Sequence, residues 1–208
     1  MRYLHGFVLM TIALVLLCGT AWAGGGPLGI DHRVTKDDSG IWQRKYQTDL
    51  MVLMIGGEIA GGVWEGGETR LGKTFWQSID ASVLGGASAA VLKVAFSRER
   101  PSTTDNPNKF FQGNGNRSFP SGEVTTASAI VTPFVAEYRH DHPSVYALEI
   151  LPVYDMVARV KVWGHWQTDV LAGFALGTGF GIYAHSRPQP LVLSVLPDGF
   201  MVGLRKKF

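Results

Sequence analysis

The sequence predicts an all-α fold, a helical bundle with a short C-terminal β-hairpin. Apolar stretches at about 48–64, 78–96, 122–138, 144–162 and 168–185 are each long enough for a helix. Several hold closely spaced small residues, as in Gly85-Gly86-Ala87-Ser88-Ala89-Ala90 and Ala172-Gly173-Phe174-Ala175-Leu176-Gly177, which let helices approach one another closely. The third observation lies at the end of the chain. Pro197-Asp198-Gly199 separates the apolar runs 191–196 and 200–204, which is turn chemistry for a hairpin.

In chain order, Arg2 and His5 open a short basic stretch, an apolar run covers 7–17, and Ala21-Trp22-Ala23 precedes a run of glycines. This is the pattern of a secretory signal cleaved after Ala23. A lipoprotein signal at Cys18 is the alternative, disfavoured by the bulk of Leu17 beside it. Cys18 is the chain's single cysteine, so the exported protein is expected to hold no disulfide despite an oxidising compartment, and export itself implies a bacterial periplasm or cell envelope. Removing 1–23 from the 208 residues leaves one domain, 24–208, large enough for a substantial core. Residues 24–47 read as a glycine-rich, then polar, lead-in to the first helix. Pro101 holds Arg100 in extended backbone and is expected to end the helix that carries Lys93. Pro120 and Gly122 mark a loop turning into the helix at 122–138, with Ser121 at its N-cap.

A formal net charge of +2 and the lack of a basic stripe interleaved with aromatics argue against a nucleic-acid partner. The mean hydropathy of +0.09 is low for a protein crossing a membrane six times. Glu58, Glu149, Asp155 and Arg159 also interrupt the apolar stretches, each at an insertion cost of about 2.5–3.5 kcal/mol. The composition therefore predicts an exported helical domain resting on a membrane surface, with an integral membrane protein as the alternative.

Three strings carry the chemistry. The first holds Lys93, Arg100 and Pro101, the second Pro120, Ser121, Gly122 and Glu123, and the third Arg159, His165 and Asp169. A phosphoryl group in transfer spreads negative charge over its oxygens, so the work is to position it and meet that charge with fixed donors. Arg100 and Arg159 offer planar forks and Lys93 a compact charge. A helix starting at Gly122 presents unpaired N–H groups to an anion, and glycine lets the anion come close. His165 and Asp169 stand four apart, expected on one face of a helix, so that Asp169 orients the imidazole and leaves its other nitrogen free to attack. Trp163 and Trp166 beside His165 fit either substrate contact or packing. His32, His140, His142 and His185 lie in the lead-in, in a polar turn or near a helix end, and are set aside as nucleophiles.

Taken together, these residues resemble the signature of the type 2 phosphatidic acid phosphatase superfamily, which includes lipid phosphatases, class A acid phosphatases and vanadium haloperoxidases. The resemblance covers about 78–185. It implies an all-α bundle in which His165 attacks phosphorus, Asp169 orients it, and Lys93, Arg100, Ser121, Gly122 and Arg159 hold the phosphate oxygens. It implies a phosphohistidine intermediate, no cofactor and no metal, vanadate as a phosphate mimic and inhibitor, and as substrate a phosphate monoester or pyrophosphate, small or lipid-linked.

Two positions depart from the signature. Ala158 replaces a serine, removing a supporting hydroxyl. Glu123 stands where the family has the histidine that protonates the leaving group. As a catalytic acid it needs a protonated carboxyl, which a bound phosphate favours and which the helix N-terminus and neighbouring cations oppose. The expectation is a phosphatase, weak or shifted to acid pH, with a catalytically impaired phosphate- or lipid-headgroup-binding envelope protein as the alternative.

Overall fold

The computed structural model describes residues 25–113 and 115–191. Their regular structure is helical: α1 (Arg44–Glu65), α2 (Arg70–Phe96), α3 (Gly122–Tyr138), α4 (Ile150–Lys161) and α5 (Gln167–Ser186), with 3-10 turns at Gly40–Trp42 and Pro143–Glu149. The signal segment, Cys18 and the C-terminal hairpin expected from the sequence lie outside the described residues.

α3 begins and ends where its apolar run does, and the other helices differ in instructive ways. α2 starts at Arg70 rather than 78, because Thr69 caps it by accepting from the Gly72 amide at 2.9 Å and the polar first turns are then carried by the helix. It ends at Phe96, where Ser97 turns left-handed (φ 30°), so Pro101 lies beyond the helix and does not terminate it. The single stretch expected at 144–162 divides into a 3-10 turn and α4. Pro152 has no N–H to donate and falls in the first turn of α4, where that donor would have no helical acceptor, which suits an α-helical start at Ile150.

α3 is the central helix, packed between α2 and α5. Its Ala127, Ile130, Val131 and Val135 form one core with Met54 of α1, and its Val124 forms a second with Met156, Val170 and Phe174. The small residues of α5 have a direct use here. A Cβ at Gly177 would overlap the Thr125 carbonyl oxygen and the Ser128 hydroxyl, so only glycine lets α5 lie this close to α3.

The helix directions bring the C-terminal ends of α2 and α4 together with the N-terminal ends of α1, α3 and α5. At the opposite pole Arg70 pairs with Glu137 and Asp141, and His185 meets Glu137 at 2.9 Å. The lead-in is clamped across the first pole. Its His32 exchanges hydrogen bonds with the Gln167 side chain, Arg33 donates to the Pro101 carbonyl, and the Asp37 amide donates to the Lys161 carbonyl. The outward faces of α1 and α2 are apolar: Leu53 is 72% exposed, Trp64 83% and Val91 68%. α2 is long and apolar enough to cross a membrane by length and composition.

Candidate active site

All three sequence strings meet at the pole where α3 and α5 begin. Lys93, one turn from the end of α2, donates to the Pro120 carbonyl at 2.6 Å and the Arg117 carbonyl at 2.9 Å, fastening the loop that leads into α3. Burial, reinforced by repulsion from Arg100 and Arg159, brings its ammonium down to about 8. Arg100 donates to the Gly164 carbonyl at 3.2 Å, which ties the first string to the third. Ser121 occupies the N-cap of α3 as expected, but its hydroxyl caps nothing: it is buried and without a partner, while its amide donates to the Asp169 carbonyl at 2.9 Å.

Arg159 lies in the last turn of α4. Its Nη1 donates to Gln47 Oε1 at 3.1 Å, and its Nε, which makes no hydrogen bond, stands 3.5 Å from Glu123 Oε2. The turn after α4 is shaped around this side chain. A Cβ on Gly164 would fall 2.5 Å from Arg159 Nη2, and the Gly164 and His165 amides both donate to the Arg159 carbonyl.

His165 and Asp169 are close but do not share a helical face. His165 lies in the turn, Trp166 is the N-cap of α5, and Asp169 is in its first turn, where it accepts from the Trp166 amide at 2.9 Å. Helix capping, rather than i,i+4 spacing along a helix, therefore brings the pair together. His165 Nδ1 is 3.6 Å from Asp169 Oδ2, outside hydrogen-bonding distance. The ring is only 3% exposed, and burial pushes it down to about 3, so the imidazole is neutral across the physiological range.

Sequence reasoning missed the groups that hold Asp169. Arg98 Nη1 donates to Asp169 Oδ1 at 2.5 Å and to the Thr168 hydroxyl at 2.9 Å, while its Nη2 donates to Asp31 Oδ2 at 2.6 Å. Asp31 accepts in turn from the Thr168 amide and hydroxyl, and Ser118 Oγ donates to Asp169 Oδ2 at 2.5 Å. The side chains of Arg98, Asp31 and Asp169 are fully buried. Against the upward push of burial, His165, Arg98 and Ser118 hold the Asp169 carboxyl below its usual range. Arg98 lies within the first string, two residues before Arg100, but no spacing rule singled it out. Asp31 comes from the lead-in, where nothing in the sequence marked it.

Glu123 has a partner the sequence did not suggest. Arg44, the first residue of α1, donates through Nη1 to Glu123 Oε2 at 2.6 Å and through Nη2 to Oε1. Burial pushes the Glu123 carboxyl up, yet Arg44 and Arg159 outweigh it and hold the group below the usual carboxylate range. The contest left open by the sequence thus ends, in the free protein, with an ionised Glu123. The tryptophans belong to packing. Trp166 is fully buried with its Nε1 donating to the Glu99 carbonyl, and Trp163 donates to the Val34 carbonyl and carries Arg33 on its face.

Asp155, one turn before Arg159, is fully buried and neither carboxyl oxygen has a partner. Burial, aided by Glu123 and opposed by Arg159 and Arg44, pushes it up to about 7. The native state therefore keeps this proton from about pH 4 to 7 while the unfolded chain releases it, so stability falls as pH rises through that window and stays lower above it. Asp155→Asn, which cannot ionise, is expected to stabilise the protein by about 2–4 kcal/mol at pH 8 and by almost nothing at pH 4. Urea denaturation at the two pH values checks this, and an equal effect at both would refute it.

A helical bundle whose pole gathers cations, a helix N-terminus and a neutral imidazole beside a carboxylate has the chemistry to receive an oxyanion. A family model described as the PAP2 superfamily matches residues 76–192, and the chain belongs to that superfamily. Curated relatives include the lipid A 1-phosphatase of Rhizobium etli, 31% identical over an alignment 133 residues long that covers 59% of this chain and 55% of the relative. The lipid A 1-phosphatase of Rhizobium johnstonii is 30% identical over 133 residues, 59% of this chain and 52% of the relative. The chain spans about half the length of the curated relatives it matches. No solved structure matches it.

Proposed function

We propose that this protein is an exported, metal-independent phosphatase acting on a lipid-linked phosphate monoester or pyrophosphate through a phosphohistidine on His165. The observation that carries the reading is the neutral His165 imidazole 3.6 Å from Asp169, with Lys93 and Arg159 near enough to act on its charge and Arg100 bonded to the adjacent Gly164 carbonyl. The buried Ser121 hydroxyl and Arg159 Nε, neither of which makes a hydrogen bond, are suited to phosphate oxygens. Resemblance to lipid A 1-phosphatases and the apolar outer faces of α1 and α2 support a phosphorylated lipid met at a membrane surface of the cell envelope.

In the first step Nε2 of His165 attacks phosphorus and the bond from phosphorus to the leaving oxygen breaks, its electron pair departing with that oxygen. Asp169 receives Nδ1–H as the ring becomes cationic, closing the 3.6 Å gap. Lys93, Arg100, Arg159, Ser121 and the Gly122 amide meet the phosphoryl charge, which leaves no duty for a metal ion. In the second step water attacks the phosphohistidine and the N–P bond breaks, restoring neutral His165. The ionised Glu123 is the group fit to take the proton of that water.

Rapid mixing with a phosphorus-labelled lipid phosphate and an alkaline denaturing quench should place the label on His165. Turnover with label on another residue, or with none, refutes the mechanism. A second reading, a phosphate- or headgroup-binding protein without turnover, is favoured by the Glu123–Arg44 pair, which leaves the site with an ionised carboxylate in place of a proton donor. Vanadate or phosphate binding with neither label nor turnover would select it.

A further inference from the structure

Arg44 belongs to no motif, yet its guanidinium forks onto the carboxylate beside the phosphate-facing residues. Glu123 Oε2 takes Arg44 Nη1 at 2.6 Å and has Arg159 Nε at 3.5 Å, so Arg44 stands one carboxylate away from Arg159, on the α1 side of the site. A further donation from Nη1 to Gln47 Oε1 at 3.2 Å fixes the fork in place. The Arg44 side chain is half exposed, so a group larger than phosphate can reach it. Among the described residues, the carboxyl groups beside Arg44 are not placed to hand over a proton: Glu123 is held as an ion by the Arg44 fork, and Asp155 is fully buried and cannot touch a ligand. The Lys93 ammonium is turned to the Pro120 and Arg117 carbonyls. Arginine does not give up its proton at working pH, and with the fork closed on Glu123 the N–H groups left to meet an oxyanion are the second one of Nη2 and that of Nε.

We infer that Arg44 meets the negative charge of the departing oxygen, with Glu123 as the residue that aims it, so that the site favours phosphates whose leaving oxygen is a weak base. Phosphoanhydrides and glycosyl phosphates meet that condition, and simple alkyl esters do not. The inference rests on the phosphatase reading of the same site. The balance is that the P–O electron pair leaves with the oxygen, as a phosphate in the first class and as a sugar oxyanion in the second. The sugar oxyanion takes its proton from water after leaving.

The test is a series of aryl phosphates from strongly to weakly acidic phenols, with wild type, Arg44→Ala, Arg44→Lys, Glu123→Gln and the double variant Arg44→Ala/Glu123→Gln. The double variant prevents a Glu123 freed of its partner from becoming an acid. Arg44→Ala should release the most acidic phenol in the first turnover within about 3-fold of wild type and the least acidic about 100-fold more slowly, and the double variant should show the same two ratios against Glu123→Gln, because the water-activating carboxylate is missing from both. Inhibition by inorganic phosphate should change by less than about 3-fold, because phosphate has no leaving group at Arg44. Arg44→Lys should recover part of the loss. A loss uniform across the series, or weaker phosphate inhibition by the same factor, would make Arg44 a structural or phosphate-holding residue and overturn the inference. So would a leaving-group-dependent loss in Glu123→Gln but not in Arg44→Ala. Either result with label still on His165 leaves the phosphatase reading standing, whereas a wild type inert on the whole series overturns both.

Discussion

Replacing His165 with alanine is expected to lower turnover of phosphate esters by about 10⁴-fold or more, with little change in the fold or in phosphate binding. The residue is nearly fully buried, yet its Nδ1 makes no hydrogen bond, so removing the ring costs mainly packing, and Asp169 keeps Arg98, Ser118 and the Trp166 amide. Lys93, Arg100 and Arg159 reach the site from other elements, so inhibition by inorganic phosphate should stay within about 3-fold of wild type. That split separates a nucleophile from a phosphate ligand, whose loss would weaken binding and turnover together. A rate within about 10-fold of wild type would remove His165 from the mechanism.

The parts of the site that could be read from the sequence are those whose spacing repeats a chemical requirement. Lys93, Arg100, Ser121, Gly122, Arg159, His165 and Asp169 could each be named because charge, glycine and proline fall at helix boundaries, and α3 could be bounded to the residue for the same reason. Less legible was how His165 and Asp169 come together. An offset of four suits a helix face, but it also suits a turn residue and a first-turn carboxylate across a helix start, and only the backbone distinguishes them. The groups that set protonation could not be read at all. Arg44 is 79 positions from Glu123, and Asp31 is 67 from Arg98. Ion pairs of that separation leave no period in a sequence, and they are what decides whether Glu123 is charged and how Asp169 is held. A one-residue departure from a family signature, such as Glu123, therefore acquires chemical meaning only with its partners in view.

Arg98 is where stability and activity are expected to fail together. Its guanidinium lies between Asp31 and Asp169 with no side chain of the three exposed to solvent, and it also donates to the Pro107 carbonyl and the Thr168 hydroxyl. Arg98→Met keeps much of the volume but leaves two buried carboxylates without their cation, and removing one member of such a group costs about 3–5 kcal/mol. Asp31→Asn should cost less, because residue 31 still accepts from the Thr168 amide. The sign of the pH dependence follows from Asp169. With Arg98 gone, burial raises its folded-state pKa above the value it has in wild type, so the penalty in Arg98→Met should grow as pH rises from about 4 to 8 and shrink in acid. A protonated Asp169 would no longer stabilise the cationic imidazole of the proposed phosphohistidine, so kcat should fall by about 10²-fold even at temperatures where the variant remains folded. Urea denaturation at pH 4.5 and 8, together with kcat at a temperature well below the variant's Tm, reads both effects. A cost below about 1 kcal/mol that does not change with pH would mean that these carboxylates do not depend on Arg98.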